Sequence, residues 1–288
     1  MSIRSMTALG IGAVLLSLAV PVSGQRQGTA RNETAAAVKP TWPPERLPDG
    51  QPDVQGFWGP VQNGTQSLTN PMAGGAEFNA RITGVPVRNP SRIVDPPDGQ
   101  IPYQPWAAAL QKQQASDWEQ PTRIEHVDTQ NRCLLDGTPR PFYNTQFHIL
   151  QPAGSVVIVW DDYHSYRVIP LDGRPHVGSN LKLWMGDSSG HWEGNTLVVD
   201  VTNLNAKFRL SIIGDFFSDH ARVVERLTFV GANAMTYDAV IDDPTVFTRP
   251  WTLRVAEKRV PDYEMWEFAC HEGERSSGEM LLTGTGKK

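Results

Sequence analysis

From Phe147 onward the chain is cut into short apolar segments by turns that leave no room for a crossover. Segments 147–150, 156–160, 166–169, 181–184, 196–201, 222–230, 235–241, 251–260 and 263–270 are rich in β-branched and aromatic residues and bounded by Gly, Pro, Asn or Asp. Several lie only a few residues apart, as at Gly231-Ala-Asn-Ala234 and Pro261-Asp262. A parallel crossover needs about a dozen residues or more, so segments joined this closely pair antiparallel. A long antiparallel meander leaves exposed edges, and closure removes them. The pattern predicts a mainly β fold, an antiparallel up-and-down, lipocalin-like β-barrel over 146–272, with a β-sandwich as the second solution.

The rest of the chain reads as additions to that barrel. One Arg followed by the apolar run 6–20 and small residues at Val22 and Gly24 reads as a signal peptide over 1–24. Its apolar run is shorter than the roughly 20 residues of a membrane span, so a membrane anchor is not expected and the protein is placed as secreted or periplasmic. Residues 25–52 form a polar, Pro-rich leader expected to be disordered before becoming extended. Residues 53–145 read as an N-terminal arm over the barrel, with Phe57-Trp58 as its first ordered contact. The arm carries the only convincing helix, Ala-rich and opening at Pro105-Trp106. Residues 273–288 read as a flexible tail.

A formal net charge of −5 argues against nucleic acid or an anionic membrane as partner and leaves a small molecule as the expected one. The oligomeric state is open. Two cysteines, Cys133 and Cys270, in an oxidising compartment are either one disulfide tying mid-chain to its last predicted strand or two separate buried thiols.

Alternation places Val223, Glu225, Leu227 and Phe229 on one face of the 222–230 strand. A carboxylate among inward apolar side chains must be paired or shift its pKa upward. Glu225 is therefore either a proton carrier or one half of a structural ion pair with an arginine such as Arg167 or Arg254.

Polar side chains crowd into 161–193, around the run GDSSGHWEGNTLVVD at 186–200, read as a polar turn feeding the strand 196–201. If the protein is an enzyme, His191 or Glu225 moves a proton, Glu193 or Asp172 orients the histidine, and Arg167 or Arg174 steadies developing negative charge. His176 joins this ligand-binding set. Trp192, with polar neighbours, and Trp251 are candidates for the flat wall of a ring-shaped ligand. No cofactor is expected. His164, His176 and His191 form the rival set, as nitrogen ligands of a metal-dependent hydrolase; no H-E-x-x-H or H-x-H accompanies them. There is no G-x-S-x-G elbow for nucleophilic catalysis.

The segments LDGRPH at 171–176, HWEGNTLVVD at 191–200, VER at 224–226, DDP at 242–244, RPW at 249–251 and EFAC at 267–270 together resemble a group of uncharacterised secreted bacterial proteins. The run W-E-G-x-T-L-V-V-D is the most specific part of the likeness. Here Asn195 stands where the group usually has Asp, and Asp187-Ser188 where it has His-Ser. The resemblance implies secretion and a β-rich domain and supplies no activity. The expected function is binding of a small, partly apolar, cyclic ligand in the barrel mouth, with acid/base conversion of the isomerase, cyclase or lyase type. A metal-dependent hydrolase and a non-catalytic cell-envelope interaction module are the alternatives.

Overall fold

The computed structural model describes residues 42–69, 91–270 and 272, so the segments expected to be a signal peptide and a tail, most of the expected leader and part of the expected arm lie outside it. The described chain is mainly β, with one α-helix, α1 (Pro105–Glu119). Ten strands form one sheet: β1 (Gly56–Pro60), β2 (Ile93–Asp95), β3 (Phe147–Leu150), β4 (Ser155–Trp160), β5 (Tyr166–Pro170), β6 (Asp187–Glu193), β7 (Thr196–Thr202), β8 (Arg222–Gly231), β9 (Ala234–Asp242) and β10 (Trp251–Arg259).

Spatial order is β5-β4-β3-β1-β10-β9-β8-β7-β6, with β2 added on β10. Every ladder is antiparallel. Apart from β2 the strands follow chain order around a nearly closed barrel, and the first strand meets the last when Trp58 pairs with Arg259. Closure stops at one seam, and parity explains where. An even number of antiparallel steps separates β5 from β6, so these two neighbours run in the same direction. A parallel pair needs a long connection, and the segment from Leu171 to Gly186 supplies it. No ladder joins β5 to β6 among the described residues, yet the two are in contact. A Cβ on Gly190 of β6 would stand 2.6 Å from Ile169 Cγ2 of β5, so only glycine lets the seam close.

The inside is packed. Trp58, Phe147, Trp160, Phe229, Tyr237 and Trp251 all point inward and are fully buried. The 3-10 turn Arg140–Tyr143 enters the barrel with all four residues buried, and Phe142 stacks on Tyr237 at 3.9 Å between ring centres. Aromatic pairs at 4 to 6 Å give such a core directional contacts beyond area burial. Cys133 and Cys270 form a disulfide, settling the alternative left open above.

Three expectations change. Residues 187–193, read as a polar turn, are strand β6; only Gly194-Asn195 turns, with Gly194 at φ +62°. A two-residue hairpin with glycine in the left-handed region lets pairing run to Glu193 opposite Thr196. Segment 263–270 is not a strand, because the edge of β10 that it would join is filled by β1 and β2. It is held instead by the disulfide, by Tyr263 Oη donating to Asp161 Oδ2, and by Phe268 edge-on to Tyr163 at 4.8 Å. Segment 181–184 makes only an isolated bridge, Leu183 to Leu204, while Asn203 Nδ2 donates to the carbonyls of Gly178 and Leu181.

Candidate functional site

Strand register fixes what each polar residue of β6 can do. His191 lies opposite Val198 of β7, which lies opposite Arg226 of β8, so His191, Glu193 and Arg226 share the outer face. Arg226 Nη2 donates to Glu193 Oε2 at 2.6 Å, and Glu193 Oε1 lies 3.2 Å from His191 Nε2. The bond from Arg226, with that from His191, holds the Glu193 carboxyl below the usual carboxylate range. An ionised carboxylate therefore orients an exposed imidazole, the arrangement a general base needs.

Trp192, one residue on, points the other way and packs against Phe229, 6.1 Å between ring centres. It stands at the end of the barrel beside the seam, where segment 49–51 crosses. Gln51 fixes this corner: its Oε1 accepts from Trp192 Nε1 at 3.3 Å and from Gln151 Nε2 at 3.2 Å, and its Nε2 donates to Asp49 Oδ2 at 2.6 Å. That bond from Gln51 also lowers the Asp49 carboxyl below its ordinary value. The result is a cleft of about 380 Å³. Trp192 and Leu171 give it apolar wall; Asp49, Gln51 and His191 give it polar groups, and Gly154 of the β3–β4 turn borders it.

His176 belongs to a different cluster. Its Nδ1 is 2.7 Å from Asp187 Oδ2 and its Nε2 is 3.4 Å from Asp200 Oδ2, while Arg222 Nε donates to Asp200 Oδ1 at 2.7 Å. At Asp200, burial raises the pKa but the bond and charge of Arg222, with His176, outweigh it and leave the carboxyl below its usual value. This cluster pins the long β5–β6 connection to β6 and β7. Asp172 and Arg174 lie on the same connection and satisfy each other, Nη2 to Oδ2 at 2.6 Å; the arginine's hydrogen bonds pull Asp172 down to about 2. Asp172 therefore serves Arg174, and Glu193 alone orients His191. The side chain of His164 lies outside what is described. Among the described residues no group of three or more His, Cys, Asp or Glu side chains is arranged to hold a metal ion.

Glu225 and Arg167 meet inside the barrel. Glu225 is fully buried; its Oε2 accepts from Arg167 Nη2 and its Oε1 from Tyr237 Oη, each at 2.6 Å. Arg167 Nη1 donates to Thr138 Oγ1 at 2.7 Å, and its guanidinium stands over Phe142 and Trp160. Both oxygens of Glu225 are taken, which is the structural ion pair weighed above. Arg254 pairs with Asp238 on the outside instead. Trp251 is core, edge-on to Phe247 at 5.4 Å, and does not reach the cleft.

A second buried network lies beside it. Arg140 donates to both oxygens of Asp128, at 2.7 and 3.0 Å, and its Nε is 3.3 Å from Asp136 Oδ2. Asn144 Nδ2 donates to Asp136 Oδ2 at 3.2 Å and to Asp162 Oδ2 at 2.8 Å. Burial pushes Asp136 up to about 7 against the pull of Arg140, with Asp128 and Asp162 adding repulsion. Burial and Asp161 push Asp162 up to about 6.

The sequence did not single out Asp49, Gln51 or Leu171, because nothing local marks residues that meet β6 only across the barrel end. Comparison of the chain with protein-family models, with curated proteins and with solved structures finds no match.

Proposed function

We propose that the chain is a secreted or periplasmic β-barrel protein that binds a small, partly apolar, cyclic ligand in the cleft beside Trp192. The cleft carries this reading: about 380 Å³, with an apolar wall at Trp192 and Leu171 and polar groups at Asp49, Gln51 and His191. Ligand pockets of about 300 to 1,000 Å³ with few fixed polar groups are the usual pattern. The Cys133–Cys270 bond and the N-terminal apolar run support an oxidising compartment. The likeness to secreted bacterial proteins sharing W-E-G-x-T-L-V-V-D fits the same placement.

His191, held by Glu193, is the proton carrier in this reading, acting on a ligand at its side of the cleft in an isomerase, cyclase or lyase type of reaction. Glu225 is not assigned that role, because Arg167 and Tyr237 occupy both its oxygens. The test is thermal unfolding and tryptophan fluorescence against sterols, terpenoids, aromatics and sugars. A ligand at a hundredfold its Kd adds about 2.7 kcal/mol to stability. Trp192→Ala should lose that gain; His191→Ala should keep binding and lose turnover. If no compound class shifts the protein, or if Trp192→Ala binds as the parent does, the reading fails.

A further inference from the structure

The barrel wall has a break away from the Trp192 cleft. β1 and β2 lie one after the other along the same edge of β10: Pro60 pairs with Glu257, and Ile93 with Leu253. Between them the wall is reduced to single backbone bonds, Val61 N to Ala256 O and Arg254 N to Arg92 O, each 2.8 Å. A cleft of about 280 Å³ opens on this break, with Val61, Val94 and Ala256 as exposed apolar sides.

Its floor is Arg92, 7% exposed and the one buried side chain in the lining. The guanidinium stands over the Tyr143 ring at 5.4 Å, and Nη2 donates to the carbonyls of Gln62 and Gly64. Among the described residues no carboxylate lies within ion-pair contact of Arg92, the charge of Glu257 acts on it only from farther off, and its buried Nε has no hydrogen-bond partner. An arginine keeps its charge at any physiological pH, so among the described residues this is a buried cation without an ion-pair partner at contact distance. Inside the barrel, Glu257 follows Leu253 and Val255 on the inward face of β10 at 2% exposure. Among the described residues neither of its oxygens has a hydrogen-bond partner. Burial pushes this carboxyl well above its usual range, and the charge of Arg92 offsets only part of that. Burying a charge unpaired costs free energy, and an anion entering by the cleft supplies what Arg92 lacks.

We propose that this break is a second ligand site, for a small monocarboxylate with a short apolar tail. The carboxylate binds Arg92, while the tail lies on Val61, Val94 and Ala256. Charge-assisted bonds of this kind are the strong ones.

The test uses benzoate and hexanoate as probes, with benzyl alcohol as the uncharged control, on the full chain by calorimetry and thermal shift. Both acids should bind at millimolar concentration or tighter, and benzyl alcohol should bind at least tenfold more weakly. Arg92→Gln should weaken benzoate at least tenfold. Ala256→Phe, an exposed substitution that leaves the core untouched, should block it in a folded protein. Trp192→Ala should leave it unchanged, separating this site from the other cleft. Absence of binding to the parent, or equal benzoate affinity in Ala256→Phe, overturns the proposal.

Discussion

Replacing Glu225 by Gln removes one charge from the middle of the barrel and almost nothing else. The amide is near-isosteric, and its oxygen can still accept from one of the two donors, Arg167 Nη2 or Tyr237 Oη. What it leaves is a guanidinium at 3% exposure with no counter-charge. Breaking a buried pair from one side costs about 3 to 5 kcal/mol, because desolvation of the survivor is no longer offset. A domain of this kind has about 5 to 15 kcal/mol in total, so the variant folds with little in reserve. With an m-value of about 2 to 3 kcal/mol/M, the urea midpoint falls by about 1 to 2.5 M. The informative partner is the double variant Arg167→Met/Glu225→Leu. It removes both charges and leaves only the Tyr237 and Thr138 hydroxyls to find new partners, at about 1 to 3 kcal/mol. The double variant should therefore be more stable than Glu225→Gln alone. Equilibrium urea unfolding of the parent, Arg167→Met, Glu225→Leu and the double variant gives the coupling energy directly. Additive losses, or a loss below about 1 kcal/mol for Glu225→Gln, would refute the view that this pair is a desolvated structural unit.

Two further outcomes follow from the buried network and the disulfide. Asp136 has a folded pKa of about 7, above the ordinary aspartate value, so the native state holds an extra proton between the two. Its contribution to stability is complete below the unfolded pKa and is lost as pH rises through about 7. Unfolding free energy measured from pH 5 to 8 should fall more steeply in the parent than in Asp136→Asn, and equal slopes would contradict the assignment. Asp162, at about 6, adds a loss of the same sign at lower pH. The Cys133–Cys270 bond spans 137 residues of sequence, so Cys133→Ser/Cys270→Ser should lower stability by about 2 to 5 kcal/mol in denaturant unfolding under non-reducing conditions.

Much of the barrel was legible before any coordinates. Period-two alternation put Val223, Glu225, Leu227 and Phe229 on one face, and all four are buried. The same alternation in 251–259 carries Glu257 inward behind Trp251, Leu253 and Val255. The helix at Pro105 was readable from its composition and its first proline. Strand β6 was not, because Ser, Gly and Asp at 187–190 have little β-propensity of their own. Pairing with β7 makes that segment a strand.

Local pattern thus determined the fold class, the inward carboxylate and the short antiparallel connections, since each depends on neighbours a few residues away. Tertiary structure decided where the barrel closes, because strand parity belongs to the whole sheet and leaves β5 and β6 parallel at a glycine-lined seam. It also decided that His191 points out with Glu193 while Trp192 meets Gln51, for a one-residue change of register would exchange those faces. The partners of the buried charges, Arg167 for Glu225 and, among the described residues, no ion pair for Arg92, depend on contacts between distant segments, and no local periodicity encodes those.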